Sequence, residues 1–480
     1  MPANGLANLV HAPLAHWARQ RSDAVAIRNA QNALTFVALH DAVQSRAVAL
    51  GGAPGTVLVD DGLGIAERLI EFLAIVASGR TAAVGDPYWP APLKAAVREG
   101  VAQLNATAHS ANVYPTADTP FYIGYTSGST GTPKGYRRNH GSWTESFRIC
   151  LETFGPHAGG TILAPGRDSH SLFLFGMLLG IWTGAGVVVQ EKFSAARALD
   201  TLRAGLAPCL VAVPSQLLVM LELARRRKMP PIDALRLIMV SGARWNRERT
   251  ADLLALFPQA RLVEFYGASE TSFIAWMDAA EVAGGQGVQP VSQQAVGRPF
   301  ANVEISIRPA PQGLIYVRSP MLFSDYVGAG SDGTGVLRDG DWLSVRDVGS
   351  FDPQGWLCLQ GRQNRMIVTQ GKNLFPEELE ALLEGAPGVA QASVHGVDDP
   401  LRGLQVVAVL RPRADSTLVL TALQLTAHCR KTLEAFKAPR RYFWCADWPL
   451  TASGKTDHQA IARGLAAMPS ADTLCLTPIR

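Results

Sequence analysis

Between Tyr125 and Gly135 the chain reads YTSGSTGTPKG, a mixture that no core helix or strand favours. Gly128, Gly131 and Gly135 let the backbone take conformations closed to other residues and turn its N–H groups outward. Thr126, Ser127, Ser129, Thr130 and Thr132 add short hydroxyl donors, and Lys134 adds a mobile positive charge. Such a loop can wrap phosphate oxygens. A glycine- and serine-rich linker has the same composition, but this loop directly continues PFYIGY, an apolar run of strand character. It is not a Walker A loop, because Pro133 precedes Lys134 and Gly135 follows it.

Four further clusters carry polar groups. In EFYGASET (264–271), Tyr266 beside Gly267 can stack a purine, and Glu270 can hold Mg²⁺ near phosphates; a β-turn with a solvated glutamate is the alternative, and the weaker one on the pattern. Asp347 can accept hydrogen bonds from a ribose diol, and Arg362 can meet a phosphate or that diol, although the intervening DPQG is a hairpin turn in any case. Asp168-Ser169-His170 precedes a long apolar stretch, where the histidine can be a base, a gate or a packed residue. Lys455 sits on the turn of LTASGKTDH, where a lysine is ordinarily just solvated.

The elements that must position these groups alternate. Strands are expected at 56–61, 161–165, 210–213, 235–240 and 261–265, with helices at 66–76, 140–154, 195–203, 216–227 and 246–257. The last three strands end in small or turn residues and each is expected to lead into a helix, so ligand groups gather at the carboxyl ends of a parallel sheet. Residues 14–50 carry helical periodicity interrupted at Ala33–Thr35, and 103–118 read as an irregular connector. From 288 to 361 the texture is β-rich with hairpins. Beyond it, helices at 375–384 and 420–436 and strands at 392–397 and 406–410 suggest a small α+β domain.

A chain of 480 residues should hold more than one core. A net charge of +4 from 44 basic and 40 acidic residues, without a long basic tract, gives no argument for nucleic acid. The cluster Arg225–Lys228 ends a solvated helix before Pro230. Six dispersed cysteines without a CxxC fit a reducing compartment, and no secretory leader opens the chain, so a cytoplasmic location is expected. Leu172–Val189 carries no charge, but its glycines break it, and a buried helix turning into a strand is expected rather than a membrane span.

In this order and spacing the five clusters resemble the adenylate-forming superfamily of acyl- and aryl-CoA ligases, luciferases and peptide-synthetase adenylation domains. YTSGSTGTPKG resembles its phosphate loop, and EFYGASE its Tyr-Gly-x-Thr-Glu motif with Ser269 at the threonine. Asp347 and GRQNRMIVTQGKNLFPEELE resemble the ribose and hinge segments; LTASGKTDH resembles the C-terminal lysine motif, with His458 where arginine is frequent. The resemblance implies a large N-terminal domain, 1–363, of layered α/β subdomains plus a β-rich subdomain, and a small mobile C-terminal α+β domain, 364–480. It implies that Thr126, Ser127, Gly128, Ser129, Thr130, Gly131 and Lys134 embrace the β- and γ-phosphates. Tyr266 stacks on adenine beside Gly242, Ala243 and Gly267, and Ser269 and Glu270 sit near the α-phosphate and Mg²⁺. Asp347 and Arg362 hold the ribose, Asn364 is the hinge, and Gly371 lies beside a thiol tunnel. Lys455 bridges the carboxylate and the α-phosphate.

The implied activity is ATP-dependent conversion of a carboxylic acid to an acyl-adenylate with release of pyrophosphate, then transfer to the thiol of coenzyme A. The acceptor can instead be a carrier-protein phosphopantetheine in trans, and a degenerate binding protein of the same fold is the reading from another class. His170, Leu172, Phe173, Ser241, Ala268 and Phe273 are expected to line a mostly apolar acid pocket, with His170 as its gate. The chain is short for the family, and a strand–helix unit between Trp89 and Phe121 is expected to be missing.

Overall fold

The computed structural model describes residues 8–53, 55–107, 114–126, 134–282, 291–292, 294–328, 335–369, 372–399, 403–413, 420–451, 455–468 and 474–479. Ser127–Pro133 of the glycine-rich loop and Gly371 lie outside the described residues, as does the side chain of Thr126. The chain forms two compact units: 1–291 with 296–306 and 316–345, and 292–295 with 307–315 and 346–480. Asn364 falls inside the second.

The first unit is built on a sheet in which the strands Val187–Val189, Ile162–Ala164, Cys209–Ala212, Leu237–Val240 and Arg261–Ala268 run parallel in that spatial order. Cys209–Ala212 and Leu237–Val240 are buried at every residue, which is why they read as continuous apolar runs without alternation. The helices Ala195–Arg203 and Pro214–Arg226 cover one face, where Leu199, Leu202, Leu217 and Met220 meet Leu210 and Ile238. Ser194 caps the first of these by accepting from Arg197 N, and Pro214 opens the second at a position where no N–H is needed. Beside this sheet lies another: Thr56–Leu58, Thr81–Ala83 and Pro120–Thr126 run parallel, and Lys134–Asn139 returns antiparallel to Pro120–Thr126. Thr126 pairs with Lys134, so the strands on either side of the glycine-rich stretch are neighbours in this sheet.

The expected order of elements holds with four corrections. Residues 14–50 are two helices, Pro13–Gln20 and Phe36–Ala49, separated by a hairpin of Val25–Arg28 and Ala33–Thr35; Val25–Arg28 pairs with Val187–Val189, which overrides its local helical pattern. Arg261–Ala268 leads into the antiparallel strand Ser272–Asp278 and not into a helix. A helix, Ala91–Thr107, occupies most of the stretch expected to be reduced, and takes in the start of the expected connector. The helix expected at 420–436 ends at Arg430, followed by turns. The uncharged stretch is the buried helix Ser171–Trp182 followed by the strand Val187–Val189. Among the described residues no helix is long and apolar enough to cross a membrane.

The second unit contains the hairpin of Asp347–Phe351 with Leu357–Arg362 and a sheet in which Val389–Asp399 pairs antiparallel with Gly403–Pro412, itself parallel to Arg441–Trp444. Helices Pro376–Glu384 and Ala422–Arg430 close its core through Leu379, Leu383 and Leu425 against Val394, Ala408 and Leu410. All six cysteines are free, and five are buried.

Candidate active site

The carboxyl ends of the parallel strands bring three of the signature stretches together in the first unit. After Ile162–Ala164 the chain reaches Asp168-Ser169-His170; after Leu237–Val240 it reaches Ser241-Gly242-Ala243; Arg261–Ala268 ends in Tyr266 and Gly267. The Ser171 and Ser269 hydroxyls lie 3.4 Å apart beside the Tyr136 hydroxyl, which meets that of Tyr122 at 2.9 Å. Tyr136 stands two residues past Lys134. The strand leaving the glycine-rich stretch, the start of the apolar helix and the Glu270 turn therefore bring their hydroxyls together.

The turn itself is tightly made. Between Tyr266 and Gly267 the register slips by a bulge, and a Cβ on Gly267 would lie 1.7 Å from Ser272 O, so only glycine admits this approach. Thr271, fully buried, accepts from Ala268 N at 3.0 Å. Glu270 is 8% exposed; Tyr326 Oη donates to its Oε1 at 2.7 Å. A buried arginine holds the whole turn. Arg138 is 1% exposed and donates to Ser269 O at 2.8 Å, to Ser272 Oγ at 2.7 Å and to Met321 O at 2.7 Å. Burial pulls its guanidinium down to about 10, still charged at neutral pH, with Tyr136, Tyr122 and Glu270 opposing the fall.

His170 is half-buried at the N-cap of the apolar helix, where its Nδ1 accepts from Leu172 N at 3.3 Å and its ring leans on Phe173 at 5.3 Å. Ser241 donates to Phe265 O at 2.7 Å, while Gly242 takes φ +89° and Ala243 is exposed. Leu172 and Phe173 are buried, and Phe273 is enclosed by Phe175, Phe265 and Phe300, which makes its ring part of the aromatic core. Asp168 is engaged by the buried Arg68, whose Nε donates to its Oδ2 at 2.9 Å. Arg68 also donates to Asp60 O and Gly85 O, so the pair ties three segments together. Burial pushes the Asp168 carboxyl up, against the pull of Arg68.

In the second unit, Asp347 and Arg362 are cross-strand partners joined at 3.1 Å. Asp347 is buried while the Arg362 side chain is 54% exposed, so the carboxylate is fixed and the guanidinium faces solvent on one side. Lys455 is exposed, but its backbone is held on both sides: its N–H donates to Thr451 Oγ1 at 3.2 Å, and its carbonyl accepts from Thr451 N at 2.7 Å. Leu450 and Thr456 close this turn as a bridge, and the Trp448 indole donates to Thr456 Oγ1.

Comparison with known proteins agrees with this geometry. The family described as "AMP-binding enzyme" matches residues 56–327, and its C-terminal domain matches 378–455. The chain belongs to the AMP-binding enzymes. It is 36% identical over 367 residues to an uncharacterized acyl-CoA ligase, YhfT, of Bacillus subtilis, covering 74% of this chain and 71% of that one. It is 29% identical over 384 residues to the 2-succinylbenzoate–CoA ligase of Arabidopsis thaliana, covering 72% and 67% of the two chains. In fold it is similar to the O-succinylbenzoate coenzyme A synthetase MenE of Bacillus subtilis in complex with AMP, with a TM-score of 0.77 and 20% identity over 96% of this chain and 99% of that one. ATP-bound MatB of Rhodopseudomonas palustris also gives 0.77, at 20% identity over 95% of this chain and all of that one.

Sequence reasoning passed over Arg138, Arg68 and Tyr326. Arg137-Arg138 inside an otherwise buried strand was the available signal, since a charge at a position enclosed by sheet implies a built set of partners.

Proposed function

We propose that this AMP-binding enzyme is an acid–thiol ligase. It activates a carboxylic acid with ATP to an acyl-adenylate and pyrophosphate, then passes the acyl group to the thiol of coenzyme A with release of AMP. The observation that carries this reading is the convergence of the phosphate-loop strand, the His170 helix and the Glu270 turn on one hydroxyl cluster. The relationship to acyl-CoA ligases supports the same reaction class.

The roles follow from chemistry. A carboxylate is a poor electrophile, and negative charge shields the α-phosphate. The loop Thr126–Lys134 holds the β- and γ-phosphates with backbone donors and the Lys134 charge; Tyr266 stacks on adenine between Gly267 and Gly242-Ala243. Asp347 accepts from the ribose hydroxyls and Arg362 orients them. Lys455 neutralises the acid oxygen and the α-phosphate together, which brings the nucleophile in line. The described residues hold no cluster of three metal-ligating side chains, and Glu270 offers a single buried carboxylate with one oxygen engaged by Tyr326. That donor set fits Mg²⁺, which takes one or two carboxylates and completes its shell with phosphate oxygens and water. When bound, Mg²⁺ supplies charge neutralisation at the phosphates. Ser269 positions the same turn. His170, with Leu172, Phe173, Ser241, Ala268 and Phe273 around the helix start, shapes the acid pocket, and Gly371 borders the path of the thiol. The catalytic division falls at 363/364, with Asn364 as hinge.

ATP–pyrophosphate exchange across aryl, fatty and amino acids tests the first half-reaction. Exchange that depends on one class, followed by thioester formation on adding coenzyme A, is the expected result. A folded protein that exchanges with no carboxylate overturns the reading, and transfer only to a phosphopantetheinylated carrier overturns coenzyme A as the acceptor.

A further inference from the structure

Residue 365 follows the proposed hinge, and residue 458 begins the helix three positions after Lys455. The two are far apart in sequence and meet in the second unit. Arg365 forks onto two carboxylates: its Nη1 donates to Glu377 Oε1 at 3.1 Å and Glu380 Oε2 at 3.2 Å, and its Nη2 to Glu380 Oε1 at 2.6 Å. The same Nη2 lies 3.4 Å from His458 Nδ1. On the other side of that nitrogen, at 2.7 Å, stands the hydroxyl of Ser393, which is fully buried and also 2.7 Å from His395 Nε2.

The protons can be assigned from these contacts. The Arg365 guanidinium, a donor-only cation at 3.4 Å, and burial both disfavour a proton on His458 Nδ1, so the ring is neutral and its Nδ1 lone pair is left for the shorter contact to Ser393. The Ser393 hydroxyl then donates to His458 Nδ1 and accepts from His395 Nε2–H. The chain of donors runs from His395 through Ser393 to His458 and meets Arg365 there. A cation at position 458 would face Arg365 at contact distance, with Glu380 already occupied by Arg365 and by Val394 N at 2.8 Å. The helix carrying His458 is also held at its start, since Asp457 Oδ1 accepts from Ala460 N and Asp457 N donates to Pro449 O.

We propose that Arg365, Ser393 and His458 are positioning residues that lock the Lys455 turn to the segment at the hinge, and that the neutral imidazole at 458 is required by the arginine at 365. The lysine's backbone then keeps one position relative to residue 365 whatever the torsions at residue 364. This rests on the assignment of Lys455 to adenylation and of Asn364 to the hinge. It explains why histidine, and not a second long cation, follows the lysine in this chain.

The test uses the full-length enzyme and reads both half-reactions: ATP–pyrophosphate exchange, and thioester formation from a synthetic acyl-adenylate. His458→Arg is expected to lower exchange roughly 10- to 100-fold through misplacement of Lys455, with thioester formation kept. His458→Asn, whose amide oxygen replaces the Nδ1 lone pair, is expected to keep both. Arg365→His added to His458→Arg, which exchanges the two residues and keeps one cation beside Glu380, is expected to recover exchange. Unchanged exchange in His458→Arg, equal loss of both half-reactions, or a double variant no better than His458→Arg overturns the proposal. Should His458→Arg fail to fold, Ser393→Ala carries the same comparison by removing the bridging hydroxyl. Lys455→Ala separates the two levels: if it leaves exchange intact the lysine assignment has failed, whereas its loss of exchange beside an unaffected His458→Arg removes only the coupling.

Discussion

The Glu270 turn and the Lys455 turn carry one charged side chain each, and they are built differently. Glu270 is 8% exposed, its carboxylate is held by Tyr326, and its backbone hangs on the buried Arg138. Lys455 is exposed, and its backbone is held through Thr451 on the turn and through the helix behind it. A carboxylate that serves one bound ion gains from a fixed orientation, because the reorganisation is complete before the reaction. A lysine proposed to act in one half-reaction only must be free to change surroundings, so its anchor is placed on the main chain. Arg138 in the first turn, and Arg365 by the proposal above in the second, were not singled out by their sequence setting.

The largest expected effect comes at the exposed end of this contrast. Lys455→Ala should lower adenylate formation by about 10²- to 10³-fold while sparing thioester formation from synthetic acyl-adenylate and leaving the melting temperature unchanged. Equal loss in both half-reactions would break the comparison, since Lys455 would then serve as a fixed group like Glu270. At the buried end, Arg138→Met leaves the Ser269 and Met321 carbonyls without their donor, at a cost of about 1–3 kcal/mol each, so the melting temperature should drop along with exchange. A variant with unaltered melting would show that the turn is held by its hydroxyls alone. Tyr326→Phe removes one hydrogen bond to a carboxylate, about 1.5–3 kcal/mol at most, and should weaken the Mg²⁺ dependence of exchange about tenfold without a loss of fold.

The smallest effect is in acid. Burial and the charge of Arg365 pull His458 down to about 3, and burial does the same to His395, with His458 and Arg365 adding to it. The folded pKa lies below the unfolded one, so the unfolded chain binds more protons between about pH 6.5 and 3 and stability falls as pH falls through that window. The charged and titratable groups facing His458 are Arg365, Glu380, His395 and Asp457. His458→Asn should therefore shallow the fall of melting temperature between pH 6.5 and 4. An unaltered slope would mean that the two histidines do not resist protonation in the fold. His11, lowered to about 4, and His140, lowered to about 3, contribute the same sign in the first unit.

Much of the architecture could be read locally. Cys209–Ala212 and Leu237–Val240 are apolar at every residue because both faces are covered, and Pro214 and Ser194 mark helix starts by satisfying or removing N–H groups. Local reading failed where a distant partner outweighed propensity. Val25–Arg28 became a strand on meeting Val187–Val189, and Tyr266–Ala268 turned into a hairpin because Gly267 lets Ser272 approach. The partner of Asp168, Arg68, stands a hundred residues earlier and leaves no local mark.

What the sequence by itself determined was the set of reactive groups and their order: a loop rich in glycine and hydroxyls, an aromatic–glycine–carboxylate turn, Asp347 followed by Arg362, and a late lysine on a turn. Side-chain chemistry and short spacing are enough for that, because each motif acts within a few residues. Only the tertiary structure decided which arginines orient those motifs and that His458 stays neutral. The partners of Arg138 are carbonyls 131 and 183 residues away, and those of Arg365 come from two helices far apart in sequence. A backbone carbonyl has no residue type, so its direction leaves no trace in sequence until the chain has folded around it.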